Sequence, residues 1–391
     1  MSDARTVVIV GAGLAGLAAA SAAKRAGARV SIVRGRAGAS ALSSGAWDGA
    51  RSPEVLRIAR ELQLPAVLAA EGASMRIVGA FGVVRETAGR DTQLLDLAGR
   101  RAVVVPRAAV GAWDADAIAD ALSPVARAID ASLLHHVDES RMPLADLAAR
   151  HDEPARLDWL IARLRESLAG AGACDAVLLP PILGLEPRTI DRLRAALGVD
   201  VGECLGEPGG PRALRFTRWA ERLVQELGVE VVDGEATRVD AGAVHVQLDA
   251  GDVRSLPASR VILACGGLAA GGLRFGTGEH EPAGVVPPTS MPPLHLSLAV
   301  LGREVVPAAD GVPLDAAGSL FGVDPERLLL GDSPLLLRAG VPCGADRRVL
   351  DRARQPIDWL LVAGDLVADA PRTALFALAS GDGAGRAAAG G

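Results

Sequence analysis

Val7-Val8-Ile9-Val10-Gly11-Ala12-Gly13-Leu14-Ala15-Gly16 is a β-branched run, then a glycine-spaced turn, then the start of an alanine-rich amphipathic segment. The order reads as strand, tight turn and helix. Gly11 can take the backbone angles of the turn, Gly13 leaves room for a pyrophosphate against the main chain, and Gly16 lets the helix lie close on the strand. Amides at that helix start, around Ala12, Leu14 and Ala15, together with the positive end of the helix dipole, suit phosphate groups. The same spacing occurs in purely structural turns. A strand before it and a helix after it are the context that marks a dinucleotide site.

The 391 residues allow two domains, and with half of them hydrophobic and 23% charged the chain is globular. A formal charge of −6 gives no basic footprint and argues against a nucleic-acid partner. There is no Tyr, which removes the phenol as a catalytic acid or stacking group and leaves five Trp and five Phe. Cys174, Cys204, Cys265 and Cys343 are scattered without paired spacing, so neither a metal nor an iron–sulfur site is written here, and a reducing compartment is expected. Residues 7–23 are apolar, but the Rossmann glycines and the short length argue for buried structure, and no direct membrane span is expected.

Along the chain, Ala28–Val33 reads as the second parallel strand. Where dinucleotide folds place an acid for the adenosine ribose, this sequence has Arg34. Three readings stay open for Arg34 and Arg36: an NADP 2′-phosphate, contact with the pyrophosphate or adenine, or a solvated pair. The Ser40–Asp48 loop, with Ser43, Ser44 and Gly45, has small residues that let backbone approach a ligand, although turn chemistry alone also explains it. From about 53 to 209 the pattern is mixed, with helices at 53–62, 114–122 and 154–169 and strands at Arg101–Val105 and Ala176–Leu179. His135 and His136, in an apolar context, read as structural. Pro211–Leu227 is a strong amphipathic helix, Val229–Val232 a strand, and the segment up to Leu256 a small antiparallel meander.

Val261-Ile262-Leu263-Ala264-Cys265-Gly266-Gly267 reads as a buried strand ending in a small-residue turn, which suggests that Ala264 and Gly266 pass a cofactor. Trp359-Leu360-Leu361-Val362-Ala363-Gly364-Asp365 reads as a last parallel strand, followed by a helix from about Thr373 to Ala388. Ligands of doubly wound sheets sit at the carboxyl ends of strands, so both ends of the sequence converge on one site. A plain NAD domain leaves Gly364 and Asp365 unexplained, whereas a flavin explains them. Asp365 can accept hydrogen bonds from ribityl hydroxyls, and the following helix start favours the charge that reduction brings. Asp365 as a mere helix cap is the bland alternative.

The fingerprint, Ser43-Ser44-Gly45 with Asp48, Ile262–Gly267 and Val362-Ala363-Gly364-Asp365 together resemble the flavoprotein oxidoreductases related to the fumarate reductase and succinate dehydrogenase flavoprotein. Ile32-Val33-Arg34-Gly35, Ala176–Pro180 before Gly184-Leu185-Glu186, and Gly271-Gly272-Leu273 make the sequence most similar to the smaller flavin subunits of the anaerobic glycerol-3-phosphate dehydrogenases. That resemblance implies a flavin subunit pairing with a larger FAD-containing catalytic subunit and an iron–sulfur subunit that anchors the complex to the membrane. It also implies oxidation of glycerol 3-phosphate to dihydroxyacetone phosphate, with electrons passed toward quinone, in the cytoplasm or at the inner face of the membrane through a partner. FAD or the shorter FMN is left open. Ala370-Pro371-Arg372-Thr373 departs from the family's glycine-rich loop. Such a reaction needs a base, with His295 or His280 as candidates, and a cation for the phosphate, with Arg274 or Arg372. A noncatalytic electron-transfer or assembly subunit and an NADP-dependent reductase are the alternatives.

The expected architecture is α/β: a Rossmann-like (FAD/NAD(P)-binding) doubly wound parallel sheet with a small antiparallel meander and an interleaved second α+β domain. Residues 1–52, 210–270 and 340–391 would form the flavin-binding part, and 53–209 and 271–339 the substrate, cap or partner-contact region.

Overall fold

The continuous apolar runs of the sequence become the middle of a six-stranded sheet. Thr6–Val10 (β1) lies between Arg29–Arg34 (β2) and Arg260–Leu263, and the full order is Glu230–Asp233, β2, β1, Arg260–Leu263, Pro356–Val362, Arg348–Leu350. All neighbours are parallel except the last, an antiparallel edge strand. A parallel sheet covered on both faces has no solvent side, so Val7, Val8, Ile9 and Val10 are all buried. The computed structural model describes residues 5–35, 38–267, 270–277, 296–300, 340–351 and 353–390, with backbone only for 273–277 and 296–300.

One face of this sheet carries the helix Leu14–Arg25 (α1) and the carboxyl-terminal helix Ala374–Gly390. The two helices touch through main chain. A Cβ on Gly381 would stand 2.2 Å from the Ala15 carbonyl oxygen, and one on Gly385 would stand 2.3 Å from that of Ala19. Below them Asp382, with its side chain 1% exposed, bonds Arg25 at 3.2 Å, Arg57 at 3.0 Å and Arg386 at 2.8 Å. On the other face Val8, Val10, Val33 and Leu263 share a core with Val239, Val244, Val246 and Leu256 of the expected meander, Glu235–Asp240, Ala243–Gln247 and Val253–Pro257.

The chain forms two compact units: the described residues within Met1–Ala39, Arg57–Leu62 and Ala220–Gly391, and those of Ser40–Leu56 and Gln63–Trp219. These divisions differ from boundaries at 52 and 209 for local reasons. Ala46–Trp47 is a strand paired with Gly89–Asp91 of the second unit, and Arg212 and Arg215 bond Asp91 and Glu203 there. In the 271–339 region, Leu273–Thr277 pairs antiparallel with Leu296–Val300; residues 278–295 and 301–339 lie outside the described residues.

The second unit holds a four-stranded sheet in the order Asp200–Glu203, Ala176–Leu179, Val103–Arg107, Ala126–Asp130, and every pairing in it is parallel. Alternation along Ala176–Leu179 sends Val177 and Leu179 into one core and Ala176 and Leu178 into another, so this sheet too is covered on both faces. Two of its strands, Asp-Val-Gly-Glu and Ala-Arg-Ala-Ile-Asp, are short and half polar, and neither is recognisable from sequence alone. Smaller antiparallel pieces, Met75–Val78 with Val84–Thr87 and Ala66–Leu68 beside Gly89–Asp91, complete the unit.

His135 and His136 are exposed, with ring nitrogens 2.8 Å apart. Among the described residues the buried histidine is His151, whose Nδ1 lies 2.8 Å from the Ile182 carbonyl oxygen. Burial, assisted by the Arg156 charge, pulls its pKa down from 6.5 to about 4. The unfolded chain therefore takes up this proton near pH 6.5 and the folded chain only near 4, so stability falls as pH drops through that window. The loss attributable to His151 is about 3 kcal/mol. Urea unfolding of the wild type and His151→Gln at pH 7 and pH 4 checks this: the variant should lose less stability across that range, and equal losses would contradict the assignment.

Candidate functional site

Three strand ends meet at the carboxyl edge of the first unit's sheet. Gly11 follows β1 with φ +118°, and its amide donates to the Val33 carbonyl at 2.9 Å. A Cβ there would stand 2.2 Å from the carbonyl oxygen of Ala264, so this turn and the Ala264–Gly267 turn are packed main chain against main chain. Gly16 is equally constrained, since its Cβ would lie 1.9 Å from the Gly11 oxygen. Gly13, in extended conformation, caps α1 without a side-chain acceptor, and the first turn holds no acid. Nothing anionic on α1 itself competes for the positive end of its dipole.

The terminal Gly-Asp closes onto the same place. Gly364, with φ +71°, sits so close to α1 that a Cβ would be 2.8 Å from the Ala15 methyl, and a Cβ on Gly267 would lie 2.8 Å from the Asp365 carbonyl oxygen. The two ends of the chain therefore do converge. From Leu14 onward the helix is buried for ten residues, whereas Gly11, Ala12, Gly13, Cys265, Gly266 and Asp365 keep partial exposure and form an accessible rim.

Burial raises the Asp365 carboxyl above the usual carboxylate range, and the Arg372 charge opposes that shift. Among the described residues no hydrogen-bond donor reaches this carboxyl. A half-buried acceptor beside a glycine-capped helix start fits a ligand that brings phosphate at one end and hydroxyls next to it. Arg372 donates to the Val367 carbonyl at 3.2 Å, and burial lowers its pKa while Asp365 and Asp369 work the other way. Arg274 lies on the Leu273–Thr277 strand with its side chain undescribed, and His280, His295 and Arg36 lie outside the described residues.

Arg34 ends β2 and donates to both oxygens of Asp233, Nε to Oδ1 at 2.6 Å and Nη2 to Oδ2 at 3.1 Å. The donor edge a 2′-phosphate would need is already engaged. Ser43, Ser44 and Gly45 belong to the second unit. There Asp91 accepts from the Trp47 indole at 2.7 Å and from Arg212 at 2.9 Å, while Arg212 also bonds the Ser40 carbonyl. Gly45 has φ +103° and its amide reaches the Ser43 hydroxyl at 3.3 Å, so this loop is held by its own backbone and by Asp91. Asp48 pairs with Arg85.

Sequence reasoning misses Ser380. Its hydroxyl, fully buried on the terminal helix, accepts the Gly364 amide at 3.0 Å and donates to the Phe376 carbonyl at 2.8 Å. A lone serine in an alanine- and glycine-rich helix is the one signal that points to it. Ser380→Ala leaves the Gly364 amide without this acceptor and should cost about 1–3 kcal/mol. Thermal unfolding reads the loss, and an unchanged midpoint would contradict the role.

An FAD/NAD(P)-type Rossmann-like α/β fold with this edge defines a dinucleotide-binding protein. Residues 6–73 match the family described as FAD binding domain, so the cofactor of this segment is FAD. No curated protein matches the sequence. Among solved structures, the 3-ketosteroid delta1-dehydrogenase from Sterolibacterium denitrificans is 12% identical, with 98% of this chain and 99% of that one covered and a TM-score of 0.39. A flavocytochrome c3 fumarate reductase is also 12% identical, with 99% and 78% covered and a TM-score of 0.38. The peptidyl tryptophan dihydroxylase QhpG is 16% identical over 68% of this chain, with a TM-score of 0.26. The chain spans 33% of the length of QhpG, 44% of CtdE and 37% of FqzB. These likenesses add nothing to the strand order already described. Among the described residues no helix is long and apolar enough to cross a membrane.

Proposed function

We propose that the protein is a flavin-dependent oxidoreductase that holds FAD at the edge where β1, Arg260–Leu263 and Pro356–Val362 end. The observation that carries this reading is the approach of Gly364 to Ala15, which brings the Gly364-Asp365 turn to the first turn of α1, whose Gly13 cap has no side-chain acceptor. In this reading the first turn of α1 binds the pyrophosphate, with Gly13 admitting it to the main chain, and Asp365 accepts the ribityl hydroxyls. Gly11, Gly16, Gly267 and Gly364 keep the three turns at main-chain distance. FAD, when bound, supplies a two-electron acceptor for hydride.

The substrate proposed is sn-glycerol 3-phosphate, oxidised to dihydroxyacetone phosphate with electrons passed toward quinone, and it rests on the sequence resemblance. Arg372, which feels the Asp365 charge, is the cation proposed for the substrate phosphate, with Arg274 as the second candidate; His295 is the proposed base. The partners proposed on the same ground are a larger FAD-containing catalytic subunit and an iron–sulfur membrane-anchor subunit. Anaerobic addition of glycerol 3-phosphate to the FAD-loaded chain tests the chemistry. Bleaching of the visible flavin bands is expected. Bands that persist when the chain is alone and bleach only with added partner subunits would replace the catalytic assignment with an electron-transfer one. Bands that persist in both cases would remove the substrate.

A further inference from the structure

The sequence puts an arginine where dinucleotide folds keep the acid that grips the adenosine ribose, and the structure shows where an acid stands instead. Arg34 and Asp233 are register partners at the carboxyl ends of two adjacent parallel strands, β2 and Glu230–Asp233. The guanidinium fork holds the carboxylate by two bonds, at 2.6 and 3.1 Å. The strand ends stay together one residue further, because the Gly234 amide donates to the Arg34 carbonyl at 3.0 Å. Glu221 adds a distant contact to Arg34 at 4.0 Å.

We propose that Asp233, carried on the neighbouring strand and oriented by Arg34, is the acid that binds the adenosine ribose hydroxyls of FAD, with Arg34 as its positioning residue. The inference rests on the flavin reading above and adds an adenosine-side specificity determinant to it.

Four features support it. The position is the one where this fold recognises ribose, beyond the end of β2 and one strand from the Gly11 turn, whose amide is bonded to Val33. A carboxylate offers about four lone-pair directions, so two bonds to Arg34 leave room for two from a diol. The Arg34 bond keeps the Asp233 carboxyl below the usual carboxylate range, so it stays a pure acceptor at neutral pH. The pair is also poorly suited to a stability role, with side chains 42% and 57% exposed, and exposed pairs contribute little to folding. A bidentate pair with both members accessible to a ligand explains why Arg34 can stand at the acid's usual position without loss of ribose recognition.

Asp233→Ala and Arg34→Ala, made in the full chain and titrated with FAD and with FMN by flavin fluorescence quenching, test this. FMN lacks the adenylate half of FAD, the adenosine and its phosphate, and ADP carries that half without the flavin, so an adenosine contact weakens FAD and ADP alike and spares FMN. Asp233→Ala should weaken FAD roughly tenfold, as expected for loss of charge-assisted hydrogen bonds, and leave FMN within about twofold. Arg34→Ala should weaken FAD by a smaller factor, since the acid remains but loses its orientation, and Asp233→Glu should restore part of the affinity. ADP, which carries the same ribose, should lose competitive strength by the same factor as FAD. Unchanged FAD affinity in Asp233→Ala, or equal weakening of FAD and FMN, overturns the inference while leaving the flavin site in place. A wild-type chain that binds neither FAD nor FMN overturns the flavin reading and this inference with it.

Discussion

Gly11→Ala is expected to give a chain that folds less stably and no longer retains FAD. Two costs act together at this residue. A φ of +118° is accessible to glycine but strained for alanine, at about 1–3 kcal/mol. The added methyl would also lie 2.2 Å from the Ala264 carbonyl oxygen, and main chain cannot rotate away as a side chain would. Relief requires shifting the Ala264–Gly267 turn, and Gly267 is the residue packed on Asp365. The substitution therefore displaces the phosphate side and the carboxyl side of the site at once, and FAD affinity should fall roughly a hundredfold or more, equivalent to about 3 kcal/mol. Gly27→Ala is the matched control. It has φ +86° but open space around it, so it should cost strain alone and keep its flavin. Flavin retention after gel filtration, with urea unfolding of both variants, checks the pair, and a flavin-loaded Gly11→Ala would contradict the packing argument.

Asp382→Leu should be the most damaging change away from the cofactor. The carboxylate is buried and receives Arg25, Arg57 and Arg386, and Arg25 and Arg57 also meet Glu61 at 2.8 and 2.6 Å. Removing the acid leaves three cations facing one another over an apolar patch. Breaking a buried pair costs about 3–5 kcal/mol. The arginines here are 36% to 50% exposed and can turn partly to water, so about 2–4 kcal/mol is expected once solvent screening is allowed for. Arg386→Ala, which removes one exposed partner of three, should cost less than about 1 kcal/mol. Urea midpoints decide it. A leucine variant as stable as the wild type would show that the network contributes nothing to the fold.

Much of the first unit is readable in the sequence because its signals are local. A β-branched run, a glycine turn and an alanine helix declare themselves within residues 6–25, and the strand at Pro356–Val362 with its Gly-Asp end does the same. Pro211–Leu227 can be placed to the residue from its proline and its amphipathic spacing. What is not readable depends on partners distant in sequence. Ser380 matters because a residue sixteen positions earlier needs an acceptor. Asp233 matters because a strand about two hundred residues from β2 pairs with it in register. The parallel sheet of the second unit is hidden for a related reason. Its Ala126–Asp130 strand is half polar and is defined by pairing with Val103–Arg107 rather than by its own periodicity. The Arg34 departure is legible as an anomaly, but only the fold shows what stands opposite it.

The most direct measurement is the visible spectrum and the released cofactor of the purified chain after incubation with FAD and removal of the excess. If the opening glycines, the Ala264–Gly267 turn and Asp365 form one flavin site, the protein is yellow and heat denaturation releases FAD in near-equal amount to the chain. A colourless protein that releases no flavin would contradict the account.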